Sequence, residues 1–274
     1  MADEVLQCEI DQGVALITLN RPDRLNAISP DLGRAYDACM ADLAFNRDVR
    51  AIVITGAGRA FCGGADAGTL DRLATEDGFV LESLKTGSLE RLTDAPEHLR
   101  RRYFAAAAVP QPVIAAVNGA CVGAGLSLAV SCDVRFASAE AYFCAIFARR
   151  GLVAESALAW TLPRLIGRAA AADMLLSGRR IDAATALRTG LASEVLAPDA
   201  LMEHALDYAR EIARNVSPRS ARVIKQQILA ADTQSLPEAL AESVEDTRQS
   251  LATPDFKEGL AAMREKRPPK FPPA

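Results

Sequence analysis

The chain has 274 residues, half of them apolar, and its 31 basic against 35 acidic side chains give a formal charge of −4. That is globular composition with enough apolar residues to build a core, and it excludes disorder. A sequence pI near 5.4 without a long Lys/Arg cluster leaves no electrostatic footprint for a polyanion, so nucleic acid is excluded as a partner.

The start Met1-Ala2-Asp3-Glu4 is acidic and lacks the basic-then-apolar order of a signal peptide. The longest apolar tract, Phe104 to Val117, is broken by Pro110, Gln111 and Pro112 and falls short of the ~18 residues a membrane span needs. A cytoplasmic protein without a membrane partner is expected. Six cysteines (8, 39, 62, 121, 132, 144) form neither a C-x-x-C pair nor a zinc-binding pattern with histidine, and read as free buried thiols.

In chain order, alternating β-formers around Asp11-Gln12-Gly13 predict a hairpin. Ser29-Pro30-Asp31 supplies a cap, an N1 proline and a first-turn acid for a helix to about Asn46, with Leu32, Tyr36, Cys39 and Leu43 at helical spacing. Ala51 to Thr55 and Pro112 to Val117 are continuous apolar runs that end near glycine, the pattern of strands buried on both faces. Further short strands are expected at Asp133 to Ala137 and Ser193 to Leu196, with a helix starting near Gly125 between them and the second run. Strands alternating with helices define an α/β core. Residues 71–102 are highly charged and read as loop and short helices, either lying over a site or forming a solvated insert. After Pro198 the chain reads as four helices, 199–215, 218–230, 237–250 and 254–266, each opened by proline or a capping residue. The organisation expected is therefore 1–197 as the core with the site and 198–274 as a helical region wrapping the core or a neighbouring subunit.

Several chemistries are excluded by missing residues. Gly56-Ala57-Gly58 and Gly123-Ala124-Gly125 each lack the third glycine of a dinucleotide fingerprint, because Phe61 and Leu128 stand there. No P-loop and no G-x-S-x-G elbow occurs. His98 and His204 are the only histidines, and both read as surface helix positions. Acid/base work then falls to carboxylates. What remains are two glycine-rich turns, 61–66 and 118–125, that can bring backbone N–H groups close to a ligand and pair two of them on one oxygen. Tight packing of the turns accounts equally well for the glycines on spacing alone.

These residues resemble the crotonase family, the enoyl-CoA hydratase/isomerase superfamily, over nearly the whole chain. The motifs that carry it are Asn20-Arg21-Pro22 with Leu25-Asn26-Ala27, Phe61-Cys62-Gly63-Gly64-Ala65-Asp66, Pro112 to Gly119, Gly123-Ala124-Gly125, Cys132-Asp133, Leu162 to Gly167, Gly190-Leu191, and Glu258-Gly259 with Glu265-Lys266-Arg267. The resemblance implies a spiral of ββα repeats, trimers that pair into hexamers, and an acyl-CoA thioester substrate. It implies no metal and no redox cofactor, coenzyme A entering as part of the substrate. It places the oxyanion-hole amides on Ala65 and Ala124, the latter where the family usually has glycine. It places coenzyme A and substrate contacts on Arg24, Leu25, Ala27, Gly64, Asp66, Ala67, Phe256 and Lys266.

The two glutamates with which family hydratases activate water and deliver a proton fall on Ser127 and Phe147, and neither can serve as acid or base. Glu155 falls instead where dienoyl-CoA isomerases and 4-chlorobenzoyl-CoA dehalogenases carry a catalytic aspartate. A lone carboxylate in an apolar setting, with Phe147 and Trp160 as candidate walls, would have a raised pKa and could take and return a proton. The other reading of Glu155 is a cap on a helix 156–161 with Arg149 as its ion-pair partner. The function expected is an enoyl-CoA isomerase that shifts a double bond through an enolate. Its rivals are a hydratase or thioester hydrolase in which Glu155 activates water, and a CoA-ester binder without catalysis. A dehalogenase is less favoured, because it needs an aspartate nucleophile and a placed histidine.

Overall fold

A computed structural model describes residues 5–75 and 87–272 of the chain. The hairpin forms as expected, β1 (Leu6–Asp11) pairing antiparallel with β2 (Val14–Leu19) through a Gln12-Gly13 turn at positive φ. Helix α1 (Pro30–Phe45) starts where Ser29 Oγ accepts from Leu32 N, and it buries Leu32, Tyr36, Met40 and Leu43 on one stripe. Each such side chain contributes roughly 1.5–3 kcal/mol of burial.

The two apolar runs become β3 (Ala51–Gly56) and β5 (Val113–Val117), every residue of which is buried. They occupy the middle of a six-stranded sheet in the order β1-β2-β3-β5-β7-β10, with β7 at Val134–Ser138 and β10 at Glu194–Leu196. All pairings except β1–β2 are parallel, which is why the central strands read as apolar runs rather than alternations.

A second sheet was not read from the sequence. It has four short strands in the order β4-β6-β8-β9: β4 (Ala60–Cys62), β6 (Ala120–Val122), β8 (Tyr142–Cys144) and β9 (Arg180–Asp182). The glycine-rich turns therefore follow β4 and β6, not the long buried strands directly. Three residues are too few to show a period, so the pattern was invisible. With these strands the ββα repeat is complete three times: β3-β4 with helix α2 (Ala67–Thr75), β5-β6 with α4 (Ala124–Ser131), and β7-β8 with α5 (Leu158–Ile166). A four-residue helix α3 (Ala105–Ala108) precedes β5, and α6 (Arg168–Ser177) and α7 (Ala183–Thr189) lie between α5 and β10.

The C-terminal helices are α8 (Leu201–Asn215), α9 (Pro218–Ala231), α10 (Leu236–Leu251) and α11 (Pro254–Glu265), within two residues of their expected bounds. Helix α8 closes a second core cluster, its Leu201, Ala205, Ala209 and Ala213 packing with Val53, Ile114 and Phe136 of the large sheet. Of residues 71–102, the structure gives the end of α2 and short 3-10 turns at Gly87–Arg91 and Glu97–Leu99, while 76–86 lie outside the described residues. Among the described residues no helix is long and apolar enough to cross a membrane.

One expectation about side chains needs correction and a second is narrowed. Four cysteines are buried, but Cys8 is exposed and Cys39 half-buried, because β1 is an edge strand and α1 faces it across a groove. His204 is at the surface, as read, but only in part: its side chain is 35% exposed, its ring packs edge-on against Phe136 at 4.7 Å and its Nε2 lies 3.3 Å from Glu194 Oε2. His98 is exposed, as read.

Candidate active site

The segment 20–28 and the turn 63–66 are laced together by backbone. Gly63 N donates to Leu25 O at 2.7 Å, Ile28 N to Gly64 O at 2.7 Å, and Asp66 N to Ile28 O at 3.1 Å. Asn26, fully buried at φ 54°, donates to Ala57 O and Ala60 O and accepts from Arg21 N. Arg21 in turn donates to Ala27 O and reaches Asp66 Oδ2 at 3.0 Å. Asn26 is thus the post that holds the whole turn. The sequence marks it as part of a motif but gives no sign of this role, since the two carbonyls it donates to lie more than thirty positions away.

In this ladder Gly64 O and Asp66 N both face Ile28, so the N–H of Ala65 between them faces the opposite way, toward the cleft. Ala124 is the first residue of α4, at the positive end of the helix dipole. Among the described residues neither amide has a hydrogen-bond acceptor. The turns touch: a Cβ built on Gly64 would stand 3.1 Å from Val122 O and 3.9 Å from Ala124 N, and Gly64 has φ +105°. This convergence is set by Asn118 as well, whose Nδ2 donates to Gly56 O and Gly58 O at 2.8 Å and so pins the end of β5 to the end of β3.

Ser127 is buried in α4, and its Oγ lies 3.5 Å from Gly123 O one turn back. Phe147 is buried core. Glu155 precedes α5 and is an exposed residue; among the described residues its carboxylate has no hydrogen-bond or ion-pair partner, and the partial desolvation of that group pushes its pKa above the ordinary carboxylate value. The capping alternative does not form. Helix α5 starts at Leu158 with Ala157 as its cap, and Arg149 Nε donates to Ser177 O. Trp160 is 40% exposed and carries the Arg164 guanidinium 3.8 Å above its ring, so it is neither core nor a closed pocket wall.

Tyr103 is a neighbour the sequence did not single out. Burial, opposed by the Arg102 charge and reinforced to a lesser degree by Cys62 and the charge of Glu155, raises its phenol to about 12, so it is a neutral O–H at physiological pH. It lay hidden in a charged stretch without periodicity.

Of the expected coenzyme A contacts, Arg24, Leu25, Ala27, Gly64, Asp66 and Ala67 are brought together by the laced turns. Arg24 and Ala67 are exposed there, whereas Asp66 is occupied by Arg21 and by Gly68 N. Phe256 and Lys266 lie apart, on α11 and at its left-handed C-cap; Phe256 lines a groove of about 340 Å³ with Leu260, Met263 and Phe271.

The ββα repeats bring together two turns whose Ala65 and Ala124 amides have no acceptor among the described residues, and such a pair of donors can hold an oxyanion. Comparison with known proteins is specific. The family model described as enoyl-CoA hydratase/isomerase matches residues 9–273, and the chain belongs to that family. A protein of Rhizobium meliloti (strain 1021) named a probable enoyl-CoA hydratase is 38% identical over 275 residues, covering 99% of both chains. Among solved structures, a probable enoyl-CoA hydratase/isomerase from Mycobacterium abscessus matches with a TM-score of 0.85 at 33% identity, over 98% of this chain and 99% of that one. An enoyl-CoA hydratase from Bacillus anthracis matches with a TM-score of 0.86 at 29% identity, over 97% and 98%. The chain is therefore an enzyme of the hydratase/isomerase type, a family that acts on enoyl-CoA thioesters.

Proposed function

We propose that the protein is an enoyl-CoA isomerase that moves a double bond with a single base, Glu155. The observation that carries this is a partly desolvated carboxylate at Glu155, without a partner among the described residues, together with Ser127 and Phe147 at the positions of the two hydratase glutamates. Glu155 removes a proton from the carbon between thioester and double bond. The thioester oxygen becomes an enolate, held by the amides of Ala65 and Ala124. Glu155, now a carboxylic acid, returns the proton at the far end of the conjugated system. Water takes no part, and one carboxyl serves as base and then as acid. Arg24, Leu25, Ala27, Gly64, Asp66 and Ala67 form the coenzyme A and substrate cradle in this reading, and no metal or redox cofactor is required. Phe256 and Lys266 act on the coenzyme A of a neighbouring subunit.

That last assignment needs an oligomer, and α10 offers a surface for one. Leu236, Leu240 and Val244 stand 82%, 63% and 64% exposed at a four-residue interval, an apolar stripe that a trimer or a pair of trimers would cover. Light scattering should then give a multiple of the 29.1 kDa chain mass by three or six.

The hydratase names of the relatives favour a second reading, in which Glu155 activates water. One experiment separates them. The protein is incubated with 2-enoyl-CoA and 3-enoyl-CoA in deuterated water, and double-bond position, hydration and label are followed by NMR and mass spectrometry. Isomerisation with label exchange and without hydration, lost in Glu155→Gln, supports the isomerase. Hydration lost in the same variant supports the second reading. Hydration that survives it overturns the assignment of Glu155.

A further inference from the structure

Away from the turns just described, strand β1 and helix α1 enclose an open groove of about 610 Å³. Its lining follows both periodicities: Leu6, Cys8 and Ile10 alternate along the strand, and Ala35, Cys39, Asp42, Leu43 and Asn46 recur along one face of the helix. Cys8 is the middle member of the strand row, and Cys39 is the second member of the helix row. One is exposed on the edge strand, the other half-buried behind it, and they are 31 positions apart in sequence. Both thiols line the groove from facing elements, and the influence of Cys39 lowers the Cys8 pKa to about 7, against the opposing effects of burial and of Glu9. Cys39 is correspondingly raised, since its proton is the one the pair retains, and Asp42 adds to that effect. The groove thus sets an exposed, readily ionised thiol on the strand opposite a second thiol on the facing helix, the two requirements for reversible thiol oxidation. The buried Cys62, Cys121 and Cys132 are shifted the other way, and each stays a protonated, enclosed thiol.

We infer that Cys8 and Cys39 form a peroxide-reactive dithiol site that closes to an intramolecular disulfide joining β1 to α1. This site is independent of the reaction assigned to Glu155. In the first step the Cys8 thiolate attacks one oxygen of a hydroperoxide, the O–O bond breaks, hydroxide or alkoxide leaves, and Cys8 becomes a sulfenic acid. In the second the Cys39 sulfur attacks the Cys8 sulfur, the S–O bond breaks, and the Cys39 proton leaves with the hydroxyl as water. The peroxide is reduced by two electrons and the two thiols are oxidised by the same two. The groove is open enough to admit a small peroxide.

The test uses the full chain, fully reduced, treated with one equivalent of hydrogen peroxide at neutral pH, then denatured in N-ethylmaleimide and weighed. The expected result is loss of two of the six alkylatable thiols, a mass lower by two hydrogen atoms before alkylation, a non-reduced peptide pair containing Cys8 and Cys39, and reversal by dithiothreitol. In Cys39→Ser the same treatment should leave a sulfenic acid on Cys8 that dimedone traps, while the parent gives almost no such adduct. Six alkylated thiols, a Cys8–Cys8 bond between two chains, or equal dimedone labelling in parent and variant would each overturn it. Because the parent alone decides the first three readouts, a variant that folds poorly does not obscure the result.

Discussion

Gly64 and Ala124 meet backbone against backbone: a Cβ on Gly64 would lie 3.9 Å from Ala124 N and 3.1 Å from Val122 O, and the Gly64 φ of +105° lies in the region that only glycine adopts without strain. The turn after β4 and the turn after β6 therefore fit together at this point with no room for a side chain.

Gly64→Ala should damage catalysis more than folding. Alanine at that φ must either strain the turn or rotate the peptide that joins positions 64 and 65, which takes the Ala65 N–H away from the cleft. Loss of one oxyanion donor costs on the order of 100-fold or more in turnover. The expected result is a fall of that size in kcat with an unchanged far-UV circular dichroism spectrum. Activity within about twofold of the parent would show that the Ala65 amide does not touch the developing charge.

Glu155→Gln should separate stability from activity. The parent carboxyl is raised in the folded state by desolvation, so the folded chain holds its proton to a higher pH than the unfolded chain does. Stability therefore falls as pH rises through the window above the ordinary carboxylate pKa, and below that window no penalty exists. Glutamine removes the penalty. Thermal melts should show the variant equal to or slightly above the parent at neutral pH, with the difference vanishing in acid. Turnover should drop at least ~100-fold, and the parent's rate should rise with pH through a midpoint above the ordinary carboxylate value. A variant that melts well below the parent at neutral pH would mean that Glu155 is held by a favourable partner.

Much of this site was legible because glycine, asparagine and proline mark where backbones must turn or touch: the 61–66 and 118–125 turns, the Ser29-Pro30 cap and the buried runs at 51–56 and 113–117 are all written in local residue types. The fold and the family were legible for the same reason. The second sheet was not, since β4, β6, β8 and β9 have three residues each and owe their pairing to partners far away in sequence. Nor was the grip of Asn26 on Ala57 O and Ala60 O, or the reach of the Glu155 charge to Tyr103. Those depend on tertiary closeness, which a single chain of letters carries only when two motifs share a spacing.

Arg102→Met should destabilise the chain markedly. The guanidinium makes a two-pronged pair with Asp37, Nε at 3.1 and 3.0 Å and Nη2 at 2.6 Å, and the Asp37 side chain is only 4% exposed. Burial alone drives the Asp37 pKa up despite this partner, so removing the arginine leaves a costly charge. The expected loss is about 3–5 kcal/mol, roughly 6–15 °C in Tm for a chain of this size. Gly33→Ala should act in the same direction, because its Cβ would fall 2.6 Å from Arg102 Cζ. A double variant with an apolar pair at 37 and 102 should recover part of the loss, and recovery of none would assign the effect to packing rather than to charge.

Lys225→Met tests whether the C-terminal helices unfold with the core. Lys225 on α9 is buried, and its Nζ donates to Ala106 O at 2.6 Å, Gln111 O at 2.8 Å and Asp133 Oδ2 at 2.8 Å, while that same oxygen accepts from Val113 N at 2.7 Å. One ammonium thus satisfies the approach to β5, the start of β7 and its own helix together. Methionine fills the volume but leaves two carbonyls without their donor and the Asp133 carboxylate with Val113 N but without its counter-charge, a cost of about 3–5 kcal/mol. Hydrogen exchange decides where that cost appears. If protection falls equally in β3, β5 and α9, the helical region and the sheet are one cooperative unit, as the packing of α8 on β3 and β5 leads us to expect. If only α9 to α11 lose protection while β3 keeps its full value, the C-terminal helices are a separable layer whose order comes from a neighbouring subunit.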